Sequence, residues 1–171
     1  MSSRVFAVSH TDAIQDLIDR DCVVRPHLVD GWWKDTGKLD DMLEANRLIL
    51  DTLDRRIDGH VDARSRVDGK VVVEAGAHII DSVVRGPAII GAEAKLEHSY
   101  VGPFTSIMNN VTIRDSEIEH SIVLEGSILS DLANRVIDSL IGCNVRIVRE
   151  PVKPSAHRFM LGDNSEVGIR W

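Results

Sequence analysis

The sequence predicts a mainly β protein, a parallel β-helix preceded by a short α/β segment. The first observation behind this is a period of seventeen residues. Val73, Ile90, Ile107 and Leu124 form one apolar ladder, Ile79, Leu96 and Ile113 a second, and Val84, Val101 and Ile118 a third. Small residues recur with them at Ala77 and Ala94, and Ser82, Ser99 and Ser116 each stand two residues before the third anchor. A strand this short cannot bury a face alone, but stacking like position on like position builds one apolar column; three anchors per period give a triangular coil. The second observation is corner chemistry. Gly86-Pro87, Gly91, Gly102-Pro103, Asn109-Asn110 and Gly126 fall between the anchors, where the chain must bend without bulk. The third is negative: residues 67–129 sustain neither the three-and-four spacing of a helix nor the pairwise alternation of a sandwich.

The elements follow in order. Thr11 to Asp19 places Ala13, Ile14, Leu17 and Ile18 on one helical face behind a Thr11 cap. Cys22 to Val29 reads as a strand, and Asp30 to Gly37 as a turn-rich loop. A second helix follows from Leu39, Met42, Leu43, Leu50, Leu53 and Ile57. Asp40 and Asp41 stand in its first turn, and Arg55 and Arg56 near its end, as the helix dipole favours. The polar stretch Gly59 to Arg66 marks the junction with the coil. After Leu129 the repeat slips: Ser130 to Arg135 reads as an insertion, and Asp138-Ser139-Leu140-Ile141-Gly142 restarts the pattern of His98-Ser99-Tyr100-Val101-Gly102. A solenoid end exposes unpaired backbone and apolar side chains, so the tail holding Pro151 and Pro154 and running from His157 to Trp171 is read as its cap. The division is therefore 1–58, 59–148 and 149–171.

Composition narrows the function classes. A net charge of −7 over 171 residues disfavours binding to a phosphate backbone, so no nucleic acid partner is expected. No long apolar run or secretory leader is evident, which predicts no membrane and a cytoplasmic location. Cys22 and Cys143 lie far apart without metal spacing and are read as buried small apolar groups.

Three stretches go further. Asp30-Gly31-Trp32-Trp33-Lys34-Asp35-Thr36-Gly37-Lys38-Leu39 with Leu43-Glu44-Ala45-Asn46-Arg47, then 115–126, then Ala156 to Ser165, together resemble the long-form glucose-1-phosphate thymidylyltransferases. The coil itself resembles the hexapeptide-repeat solenoids, which implies a left-handed β-helix. The resemblance implies a reaction that joins a sugar 1-phosphate to dTTP and releases pyrophosphate, with Mg2+ bridging the phosphates. It implies Asp35 as one of two carboxylate ligands to that Mg2+, with Trp33 and Thr36 beside the sugar-phosphate pocket. The family's glycine-rich nucleotide loop and second carboxylate lie in a preceding domain, and these 171 residues contain no Gly-x-Gly. The chain thus reads as a C-terminal part or shortened relative, inactive alone, whose β-helix serves assembly or regulation. A homo-oligomer, with a trimer favoured, or a catalytic nucleotidyltransferase domain is the expected partner, because one strand and two amphipathic helices cannot bury their own apolar faces. The bland alternative for Asp35 is a cap on the Leu39 helix, with Trp32 and Trp33 packing that helix onto a sheet.

A different class is also open. Hexapeptide-repeat solenoids include acyltransferases that bind coenzyme A in grooves between subunits, with a histidine as general base. His78, His98 and His120 are the candidates, the last two outward at coil edges, although Arg64, Arg66 and Lys70 make only a scattered basic cluster. Metal ligation by His157, Asp163 and Glu166, or a glycosidase pair among Glu117, Glu119 and Glu125, fits no strong spacing.

Overall fold

The computed structural model describes residues 10–28 and 38–149, and in it the seventeen-residue period becomes a coil with three parallel sheets as faces. The first face stacks Arg56–Ile57, Val71–Val73, Ala88–Ile90, Thr105–Ile107, Ile122–Val123 and Leu140–Ile141. The second stacks His60–Val61, His78–Ile80, Lys95–Glu97, Thr112–Arg114, Ile128–Ser130 and Arg146–Val148. The third holds Arg66–Asp68, Val83–Arg85, Tyr100–Val101, Glu117–Glu119 and Val136–Ile137.

The predicted ladders are the rungs of these sheets. Val73 pairs with Ile90 and Ile90 with Ile107; Ile79 with Leu96 and Leu96 with Ile113; Val84 with Val101 and Val101 with Ile118. All of these side chains are completely buried. One rung differs. Ile107 is followed by Val123, because the step from the third face to the first is shorter there, and Leu124 is displaced from the column. The slip predicted for residues 130–135 is real: the corner from Leu129 to Val136 is longer than its equivalent from Ile113 to Ile118, and the registers Ile118↔Val136 and Val123↔Ile141 then continue.

Corners turn through left-handed backbone, mostly without glycine. Asp81, His98 and Asp115 share one corner column at φ 46, 47 and 45, and Glu93, Asn110 and Asn144 another at φ 58, 57 and 56. Short polar side chains tolerate this region by bonding locally. Gly76 and Gly126 complete the second column at φ 75 and 71.

The serines stitch successive coils together. Ser82 N–H donates to Ser65 Oγ at 3.1 Å, Ser99 N–H to Ser82 Oγ at 3.0 Å and Ser116 N–H to Ser99 Oγ at 3.4 Å. Each of the hydroxyls of Ser82, Ser99 and Ser116 donates in turn to the carbonyl two residues before it. Ser121 and Ser127 repeat the device toward Ser139 and Val145. No buried side-chain nitrogen or oxygen among the described residues lacks a partner.

The chain divides into two compact units, Met1–Lys34 and Asp35–Trp171. In the first, α1 spans His10–Asp19, so Thr11 lies inside the first turn and is not its cap. The strand expected over Cys22 to Val29 is not formed: Cys22–Leu28 is irregular, Val23 and Leu28 are 79% and 89% exposed, and Val29 lies outside the described residues. A lone strand has no backbone partner to pair with. In the second unit, α2 spans Leu39–Asp51, with Asp40 and Asp41 in its first turn and no base in its last. It stops short of the predicted Ile57 because Arg56–Ile57 is taken into the first face, opposite Val72–Val73. Arg55 and Arg56 therefore do not serve its dipole. Both cysteines are exposed, contrary to the buried reading; Cys143 stands at a corner of the coil, and Cys22 follows α1.

Three outcomes are expected in urea unfolding. Leu96→Ala opens a cavity in the closed column and costs about 2–5 kcal/mol, and Val123→Ala destabilises more than Leu124→Ala, which the sequence ladder alone would reverse. Ser82→Ala strands the Ser99 N–H and costs about 1–3 kcal/mol.

Candidate functional site

The most constructed surface feature of the coil is the seat of α2 on the first face. Leu43 and Leu50, on one side of the helix, are buried. Between them Asn46 donates from Nδ2 to the Phe104 carbonyl at 3.1 Å, and its Oδ1 accepts from the Ser106 hydroxyl. The outward residues of this face beneath the helix, Val72 and Ser106, are correspondingly buried. Lys70 Nζ caps the far end through the Asp51 carbonyl at 2.7 Å. Arg47 lies 5.9 Å above the Phe104 ring, and Glu44 holds its guanidinium at 2.8 Å. That bond with Glu44, followed by its charge, raises the Arg47 pKa further above its usual value.

Next to this seat lies a corner of unusual backbone. Phe104 is left-handed at φ 58, a bulky residue in a region that disfavours it, and His120 and Asp138 stack beyond it at φ 44 and 50. His120 Nδ1 is 2.6 Å from Asp138 Oδ1, and its ring meets Phe104 edge-on at 6.3 Å. His98 stands on a different corner, 3.6 Å from both Asp81 and Asp115. His78 lies on the second face with its ring 5.7 Å from that of His60. The three candidate histidines are thus outward, as expected for His98 and His120, but they occupy three separate places and form no common centre.

The other sequence candidates resolve into ordinary pairs. Arg64 bridges Asp62 and Asp81, Arg66 holds Asp68 at 2.6 Å, and Lys70 is spent on α2, so they form no basic groove. Glu117 and Glu119 are both gripped by Arg135, at 2.8 and 2.9 Å, and Glu125 contacts Asn110; no opposed carboxylate pair exists there. Trp33, Asp35, Thr36, His157, Asp163 and Glu166 all lie outside the described residues. Among the described residues no three His, Cys, Asp or Glu side chains gather where they could hold a metal ion. No helix among them is long and apolar enough to cross a membrane.

Sequence reasoning quoted Asn46 only as part of a motif and missed its partners Phe104 and Ser106, which lie far along the chain. Arg135 was read as part of an insertion; its position eighteen residues beyond Glu117 was the available signal.

Comparison with known proteins then decides the relationship. No family profile matches the chain. It is 48% identical over 159 residues to a glucose-1-phosphate thymidylyltransferase of Streptomyces griseus, covering 93% of this chain and 44% of that protein. It is 47% identical over 160 residues to the glucose-1-phosphate thymidylyltransferase of Streptomyces antibioticus, covering 94% and 45% respectively. The chain belongs to the glucose-1-phosphate thymidylyltransferase family. It corresponds to a C-terminal part of those proteins and spans less than half their length. A low-salt glycan biosynthesis nucleotidyltransferase of Haloferax volcanii is 39% identical over 162 residues, again over 45% of its length. The thymidylyltransferase resemblance of the Trp33 and Asn46 stretches is therefore shared by the chain as a whole, and these relatives lend no support to an acyl-transfer reading.

One titration follows from the corner network. Asp62 is held below the usual carboxylate range, first by the Ser65 hydroxyl and then by backbone N–H groups of Asp81 and Ser65 and the charge of Arg64, against an opposing push from burial. A depressed folded-state pKa gives stability that is present above the unfolded value of about 3.9 and lost as pH falls through the lower folded value. In chemical denaturation from pH 7 down to pH 3, Asp62→Asn is expected to show a shallower acid-side loss than the parent chain. Parallel curves would remove Asp62 from the acid sensitivity.

Proposed function

We propose that this chain is the assembly or regulatory part of a glucose-1-phosphate thymidylyltransferase, the enzyme class that converts a sugar 1-phosphate and dTTP to a dTDP-sugar and pyrophosphate. The observation that supports this best is the seat of α2. The helix Leu39–Asp51 is fixed to the coil through the buried Leu43 and Leu50 and through Asn46, and it follows the Trp33–Gly37 motif directly in the sequence. On this reading Asp35 is one of two carboxylate ligands to Mg2+, its partner contributed by a nucleotidyltransferase domain, and Trp33 and Thr36 border the sugar phosphate. A single carboxylate among waters holds magnesium weakly, so the chain alone neither retains the ion nor turns over.

The division that accompanies the reading is 1–58 as nucleotidyltransferase remnant, 59–148 as β-helix and 149–171 as capping tail, with the first coil strand, Arg56–Ile57, just ahead of the first boundary. The apolar face of α1, with Ile14, Leu17 and Ile18 nearly half exposed, calls for a cover. A second and third copy of the chain or a catalytic domain supplies it, in the cytoplasm.

Purified chain incubated with glucose 1-phosphate, dTTP and Mg2+ is expected to give no dTDP-glucose, and turnover by these 171 residues would overturn the reading. Sedimentation is expected to show a multiple of the 19.0 kDa chain, three copies being favoured, and a clean monomer would count against assembly.

A further inference from the structure

We propose that the exterior of the second face, at its C-terminal end, binds a compact phosphate-bearing small molecule between Arg114, Arg146 and Arg149. The site is independent of the nucleotidyltransferase reading, because it stands wholly on coil residues.

The place is an open cleft of about 340 Å³ lined by these three arginines with Thr112 and Ser130, where the Arg114 guanidinium already donates to the Ser130 hydroxyl and pairs with Asp115 and Asp131. Sheet register explains the convergence. Thr112 pairs with Ile128 and Ile128 with Arg146, so Arg146 lies two strands from Thr112 in one outward column. Arg114 stands in the neighbouring column, after Glu97 and before Ser130 and Val148, and Arg149 follows at the next corner. With strands roughly 4.8 Å apart, long arginine side chains on such positions can reach a common ligand a few ångströms across.

Charge pairing sets this end apart. Along the coil Arg56, Arg64, Arg66, Arg114 and Arg135 each hold a carboxylate within 4.0 Å. Arg85 lies 6.0 Å from the Tyr100 ring. Arg146 and Arg149 have no ion-pair partner among the described residues, and both are exposed at the same cleft. Two acids also border it. Asp131 is engaged by the Ser130 hydroxyl, by Arg114 at 3.3 Å and by the charge of Arg149, and Glu97, in register beside Arg114 and three strands from Arg146, is the other carboxylate at the cleft. Lys95, paired in register with Thr112, adds a further cation beside it. On a chain of net charge −7 this is a local reversal of sign.

Guanidinium groups bind phosphoryl oxygens through paired N–H donors, and a threonine hydroxyl offers one more. The cleft lies at the small end of the range for ligand sites and has too few cations to track a nucleic acid backbone. A mono- or diphosphate group on a small molecule fits both limits.

The test uses the full chain and inorganic pyrophosphate, followed by calorimetry and 31P NMR at about 50 mM salt, where phosphate contacts are not screened out. Saturable binding is expected, weakened about tenfold or more in R146A/R149A and partly kept in R146K/R149K, where charge stays but the paired donors are lost. R56A, on the first face, is expected to bind as the parent does. Unchanged far-ultraviolet circular dichroism in each variant separates loss of the site from loss of the fold. Three results would overturn the proposal: no saturable binding at about 10 mM pyrophosphate, an unchanged affinity in R146A/R149A, or an equal loss in R56A.

Discussion

The structure depends on one constraint: strands of two or three residues cannot satisfy their own backbone, so every coil must be hydrogen-bonded to the coils above and below it. That requirement fixes the register, and the register fixes everything else. Because Val73, Ile90 and Ile107 occupy the same rung, their side chains share one interior column, and a one-residue slip would turn the whole set outward. The serine ladders extend the same logic to the corners. Where the chain leaves a strand and its N–H groups would otherwise be orphaned, a hydroxyl from the neighbouring coil accepts them, as Ser82 does for Ser99. The corner hydrogen bond repeats because the backbone problem repeats.

What could be read from the sequence follows from this. The interior is a sum of identical local problems, so Ile79, Leu96 and Ile113 announce themselves at fixed spacing, and Ser82, Ser99 and Ser116 with them. The rung that failed, Leu124 for Val123, lies where a corner shortens, and corner length is set by backbone turns that leave little trace in side-chain type. Asp81, His98 and Glu93 turn corners in left-handed backbone although none of them is a glycine. The second helix was read too long because Leu53 and Ile57 continue its spacing, and only the pairing of Arg56–Ile57 with Val72–Val73 shows that the sheet claims them first. The predicted strand at Cys22 failed for the complementary reason, that its sequence suits a sheet which these described residues do not provide.

The site was legible in part. Asn46 could be quoted as a motif residue, but its role rests on Phe104 and Ser106, nearly sixty residues away, and no periodicity connects a helix to the one rung on which it sits. Its polar seat is a specifying device. Leu43 and Leu50 could slide along an apolar face, whereas Asn46, bonding a carbonyl and a hydroxyl at once, fits a single coil. The coil therefore fixes the helix in position as well as covering its apolar side.

A regular solenoid offers three flat, repetitive faces, and repetition alone gives a ligand no reason to prefer one coil over another. Distinction comes from the irregularities. The longer corner between Leu129 and Val136 brings Arg135 over Tyr100 and Glu117, forming a cleft between the corner and the third face that Leu132 also lines. Just beyond it, the same region places Asp131 against Arg114, while Arg146 and Arg149 hold no carboxylate within 4.0 Å among the described residues. Both clefts thus border the corner where the repeat lengthens after Leu129. A column of superposed aliphatic side chains tolerates such a break only if the backbone re-enters register at once, which Val123↔Ile141 and Leu129↔Ile147 do. Stability and recognition are separated along the chain: the periodic coils hold the shape, and the lengthened corner gives one end of it a chemical identity.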